Sequence, residues 1–214
     1  MGVRAGVGFA GVVCCAVLAG CTSPVSGTPD ASAGSGGGRS SSPAAPSSAP
    51  STTGGIGFEA PRVPAAIDAT KYLAAPCTVL TPEQLAPFEV NLTGEPVTSG
   101  STFEVVGPSC SWEPVDRKGD FNLLFADKNE YGLSDYYREK KRWAFFEPIE
   151  VGGYPAAYFD TGSKDLRGQG FCSIVVGLTD TLAFSVSRQN GPGPRACDQV
   201  RDMAAAALTT MKGA

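Results

Sequence analysis

The 214-residue chain contains no histidine. That absence excludes Ser-His and Cys-His nucleophile pairs and every histidine-metal mechanism, and with them most hydrolases. Residues 67–214 also lack a Gly-x-Ser-x-Gly elbow and a phosphate-cradling glycine loop. No Cys-x-x-Cys spacing occurs, so zinc would have neither of its usual ligand pairs. No metal and no cofactor is expected. Excess basic charge is missing as well: 17 Lys and Arg stand against 21 Asp and Glu, a formal charge of −4. Without a broad positive surface, DNA and RNA are not expected partners. The apolar run near the start, residues 5–19, is about fifteen residues long and too short to span a bilayer comfortably.

That run ends on the most informative stretch present, Leu18-Ala19-Gly20-Cys21, which has the form of a bacterial lipobox. Arg4 supplies a positive n-region and residues 5–19 the h-region. In lipoproteins of this pattern the cysteine thiol is diacylated and the preceding peptide removed. Residues 1–20 are therefore expected to be a signal peptide, and Cys21 the lipidated N-terminus of a protein held on the extracytoplasmic side of the cell membrane. An ordinary secretory signal or an uncleaved anchor is the alternative. Cys14 and Cys15 lie in the h-region and would leave with it.

From Thr22 to about Ala66 the composition is dominated by Gly, Ser, Ala, Pro and Thr. Such a segment cannot bury enough apolar surface to offset its ordering entropy and reads as a disordered tether. As a flexible coil of about 45 residues it would hold a folded body roughly 35–40 Å from the lipid. Residues 67–214 have the length of one domain with a real core.

Four cysteines fall in that domain, Cys77, Cys110, Cys172 and Cys197. Outside the membrane they read as two disulfides, for which three pairings exist. The order of elements favours Cys77 with Cys110 and Cys172 with Cys197, each closing a loop of about 25–35 residues and contributing roughly 3–4 kcal/mol.

Leu80-Thr81-Pro82-Glu83-Gln84-Leu85 is a helix start: Thr81 as N-cap, Pro82 at the first helical position, Gln84 closing a capping box, Leu80 and Leu85 as a hydrophobic staple. The helix is expected to reach about residue 88. Beyond Gly94, period-two alternation predicts strands at Phe103 and Val105, Cys110 and Trp112, and Phe121 to Phe125. A helix over 134 to about 144 carries a narrow aromatic face. Further strands follow around Ile149 and Val151, Ala157 and Phe159, Cys172 to Leu178, and Leu182 to Val186, the last two joined tightly through Thr179-Asp180-Thr181. A helix over 195 to about 211 closes the chain, with Val200, Ala204, Ala207, Leu208 and Met211 at helical spacing. The expected fold class is α+β: a curved antiparallel sheet with helices packed on one face, stapled by two disulfides.

Pro76-Cys77 with Leu80-Thr81-Pro82-Glu83, then Cys110-Ser111-Trp112, Gly153-Tyr154-Pro155-Ala156, Cys172, and Cys197 near an Ala-rich final helix resemble an uncharacterised domain of actinobacterial lipoproteins, the domain of unknown function 3558. The resemblance implies a secreted, lipid-anchored domain with paired cysteines and no established activity.

Three features compete as functional sites. Tyr158-Phe159-Asp160-Thr161-Gly162-Ser163 looks like the active-site turn of aspartic proteases, which needs two carboxylates sharing a proton. With one copy present, Asp160 would need a homodimer. The same string is also an ordinary strand-ending turn. Tyr131, Tyr136, Tyr137, Trp143, Phe145 and Phe146 set aromatics beside Lys140, Lys141 and Arg142. Tyr136, Tyr137, Lys140 and Trp143 could bind an anionic headgroup, a phosphorylated glycan or an acidic partner, or be core residues of a helix on a sheet. Asn91-Leu92-Thr93 fits a glycosylation pattern that a bacterial lipoprotein gives little use. The reading is a non-enzymatic envelope module binding a protein partner or a small amphiphilic ligand. The alternatives are a carboxylate hydrolase using Asp160 and a purely structural lipoprotein.

Overall fold

The computed structural model describes residues 59–97, 107–160, 162 and 164–213. Cys21, the signal segment, most of the tether, the strand expected at Phe103 and Val105, and Thr161 and Ser163 lie outside the described residues.

A five-residue helix, α1 (Thr70–Ala74), leads into a 3₁₀ turn (Pro76–Val79) that carries Cys77. Helix α2 (Pro82–Leu85) starts as its sequence dictates. The Thr81 hydroxyl accepts from the Gln84 N–H at 3.4 Å, and the Thr81 N–H donates to the Gln84 side chain at 2.9 Å. The capping box is closed, and Pro82 sits where a missing N–H costs nothing. Leu80 and Leu85 are both buried. A 3₁₀ turn (Ala86–Phe88) follows, and Glu89, with φ at 52°, ends it in the left-handed region.

Seven strands form one sheet: β1 (Glu95–Pro96), β2 (Ser109–Trp112), β3 (Phe121–Phe125), β4 (Phe145–Val151), β5 (Tyr154–Asp160), β6 (Cys172–Gly177) and β7 (Ala183–Arg188). Their order is β1-β2-β3-β7-β6-β5-β4, antiparallel at every pairing. Helix α3 (Leu133–Glu139) lies between β3 and β4 in the chain, and α4 (Ala196–Lys212) closes it. The architecture is α+β, as the sequence pattern predicts.

Period two and register divide the side chains between the faces. Trp112, Phe121, Leu123, Phe125, Ile174, Phe184 and Val186 face one way, into one core with Val200, Met203, Ala204, Ala207 and Leu208 of α4, which lies over β6 and β7. The neighbouring residues Ala157, Phe159, Val175 and Ala183 face the other way and pack against Leu133 and Tyr137 of α3. The sheet therefore carries helices on both faces, not on one as expected. The physical reason is visible in β5 and β6, whose buried residues occupy both parities because each strand is covered twice.

Cys77 is bonded to Cys110 and Cys172 to Cys197. The first bond ties the 3₁₀ turn before α2 to β2; the second ties the first turn of α4 to β6. Gly94 is a close-approach glycine, since a Cβ there would strike the Cys110 sulfur and the Trp112 indole. Residues 59–66, grouped with the tether by composition, lie against the body. The Glu59 and Ala60 N–H groups donate to the Ser134 hydroxyl at 3.1 and 3.0 Å, and Arg62 pairs with Asp180.

Candidate functional site

The alternation of β7 does not stop with its apolar residues. Phe184 and Val186 face α4, so Arg188 faces the same side, in register between Phe121 of β3 and Cys172 of β6. Its guanidinium carbon lies 4.1 Å from the centre of the Phe121 ring. Gly191 sits directly against the side chain, where a Cβ would come within 2.8 Å of Nε. Arg188 is only 6% exposed.

Its Nη2 reaches the Lys118 carbonyl at 3.5 Å, whereas Nε and Nη1 have no hydrogen-bond partner. The three N–H groups on Nε and Nη1 are thus unused within the protein. Burial holds the Arg188 pKa below the ordinary arginine value, opposed by the more distant charges of Asp116 and Asp120. The group remains a cation at neutral pH.

Above Arg188 opens a cleft of about 880 Å³ between the 3₁₀ turn after α2, the loop at 114–118 and the connection from β7 to α4. Phe88, Val90 and Pro114 contribute apolar wall. Leu92 and Val115, 53% and 69% exposed, are the large apolar side chains that stand exposed among the described residues, and both line this cleft. Gln199, in the first turns of α4, adds an amide whose Oε1 is buried without a partner. Lys118 and Arg195 also line it, with Glu89 and Asp116 as the carboxylates; Asp116 lies 3.9 Å from the Lys118 ammonium. Apolar walls, an arginine in the lining and a volume of this order are features shared with small-molecule sites.

The aromatic group expected as a binding surface is packed elsewhere. Tyr136 stacks edge-on with Trp143 and Phe159 at 5.6 and 5.1 Å, and Tyr137 with Phe146 at 4.8 Å. These contacts cover the second face of the sheet. Lys140 reaches Glu59 at 3.8 Å and lies 5.8 Å above the Tyr137 ring, and Arg142 pairs with Glu139. The contacts are those of the packing alternative.

A family model described as "Protein of unknown function (DUF3558)" matches residues 16–210. The chain belongs to this family. No curated protein and no solved structure matches it.

In this DUF3558 chain Asp160 ends β5, and its Oδ1 accepts the Gly162 N–H at 2.8 Å, the bond of an aspartate turn. The bonded cysteines Cys77, Cys110, Cys172 and Cys197 leave no thiol among the described residues. No group of three or more Cys, Asp or Glu is placed there to hold a metal, and no helix there is long and apolar enough to cross a membrane. The sequence reading missed Arg188 and Gln199. The parity of Phe184, Val186 and Arg188 was the available signal, because a charge at a core-facing position in a strand has to be accounted for.

Burial pushes the Tyr136 phenol of the DUF3558 domain up to about 12 from 10.0, against the lowering effect of a hydrogen bond with Ser185. Burial raises Tyr137 and Tyr158 in the same direction. Between those limits the unfolded chain sheds a proton that the folded one keeps. The contribution is therefore whole below pH 10 and is lost as pH rises towards 12. Tyr136→Phe is expected to flatten part of that alkaline loss in urea midpoints measured from pH 8 to 12. An unchanged profile would show that the phenol is not held neutral by the fold.

Proposed function

We propose that the protein is an envelope lipoprotein, anchored through lipid on Cys21, whose domain is a non-enzymatic binding module. It takes a small amphiphilic ligand into the cleft above Arg188. The observation that carries this reading is the coincidence of exposed Leu92 and Val115 with a buried cation in one cleft. Exposed apolar side chains scattered singly need no explanation, but two on one concave surface favour an apolar ligand. The lack of histidine and the use of the Asp160 carboxylate in a turn support a role without catalysis.

The test is native mass spectrometry of the full lipoprotein, extracted in mild detergent from its own membrane, beside a Leu92→Asp/Val115→Asp variant. Both positions are exposed, so the variant is expected to fold normally. A diacyl mass on Cys21 and a small bound mass that the variant loses are the expected results. A bare protein in both samples would remove the binding reading, and an unmodified Cys21 the anchor.

A further inference from the structure

Leaving a guanidinium buried with three N–H groups unused is costly, because a desolvated charge is tolerated only when paired or hydrogen-bonded. The domain has carboxylates nearby, yet none is joined to Arg188: Asp116 lies by Lys118, and Asp120 acts only through its charge. Nothing in the described fold accepts from Nε or Nη1, both of which are closed off from solvent, and the Arg188 side chain lines the cleft.

We infer that Arg188 is the anchor for the head of an acidic amphiphile, an oxyanion of carboxylate or phosphate type carried on an apolar chain. This rests on the cleft being a ligand site and names its ligand class. The guanidinium presents two paired edges, Nη1 with Nη2 and Nε with Nη2, and each includes a donor that the fold leaves unused, which suits an oxyanion oxygen. Gln199 lines the same cleft, its buried Oε1 also without a partner, and its amide suits a hydroxyl or amide beside the head. Leu92, Val115 and Phe88 then receive the chain, which places the apolar part outward along the cleft and the charge inward. The first turns of α4 border the cleft, so the positive end of a 17-residue helix adds to the same field.

The experiment titrates the full chain in non-ionic detergent with octyl phosphate, octanoate, octanol and inorganic phosphate. Binding is read by native mass spectrometry for the wild type, Arg188→Met and Arg188→Lys. Octyl phosphate or octanoate is expected to bind the wild type roughly 10–100-fold more tightly than octanol. That advantage should vanish in Arg188→Met and be partly kept in Arg188→Lys, which retains the charge but not the fork. Preference between the two acids identifies the head as phosphate or carboxylate. Octanol binding as well as the acids, unaltered by Arg188→Met, overturns the inference while leaving an apolar ligand site in place. Inorganic phosphate held as tightly as octyl phosphate overturns the amphiphile. No binding of any probe overturns the inference together with the reading beneath it. The wild-type comparison of acid with alcohol decides the matter even if a variant fails to fold.

Discussion

Replacing Cys172 and Cys197 together by alanine is expected to destabilise the domain by about 3.5 kcal/mol, the chain-entropy value for a loop of this size. The bridged residues are 25 apart in sequence, and the bond is the covalent link between β6 and the first turn of α4. That turn does more than start a helix. Gln199 and Arg195 on it and just before it line the cleft. Loss of the bond is therefore expected to lower the urea midpoint and to weaken ligand binding as well. Two-state urea unfolding of both proteins, with equal m-values, measures the first effect. A loss below about 1 kcal/mol would show that packing of Val200, Met203 and Ala204 alone holds the helix in place, against the chain-entropy expectation.

Arg188→Met is expected to do the opposite: to raise the stability of the ligand-free domain by about 1–3 kcal/mol, as replacement of buried charge by apolar groups often does. Methionine keeps an unbranched apolar stem against Phe121 and removes the desolvated guanidinium. The lost cation–π contact offsets about 0.5–2 kcal/mol of that gain. A more stable protein that no longer binds acids is the signature of a residue kept for a ligand. Thermal unfolding of the ligand-free pair reads it directly. A destabilised variant would show that Arg188 is satisfied within the fold and serves it structurally.

Much of the fold is legible in the residues because its signals are local. The Thr81-Pro82-Glu83-Gln84 start carries its own capping bonds, and the period of α4 separates its buried Val200, Ala204, Ala207 and Leu208 from solvent without reference to anything else. Helix α1 and strand β1 were not legible. One has five residues with Tyr72 alone buried, the other two exposed residues, and neither is long enough to show a period. The position of α3 on the second face could be read only by treating Ala157, Phe159, Val175 and Ala183 as a buried set of their own parity. The cleft was the least visible, because it joins residues about 100 positions apart, such as Phe88 and Arg188. An arginine at a strand end ordinarily reads as a solvated terminus. Tyr136 and Tyr137 drew attention by being clustered in sequence, whereas the unpaired charge is isolated in it.

Each disulfide is close in the chain to one wall of the cleft: Cys77–Cys110 holds the turn that leads through α2 to Ala86–Val90, and Cys172–Cys197 holds the first turn of α4, where Gln199 stands. With thiols reduced, those walls keep only their non-covalent ties, such as the Val115 N–H to the Glu89 carbonyl at 2.8 Å and the Gln84 amide to the Ala206 carbonyl at 3.1 Å. If the cleft holds a ligand as proposed, the protein would bind it more firmly once its cysteines have paired.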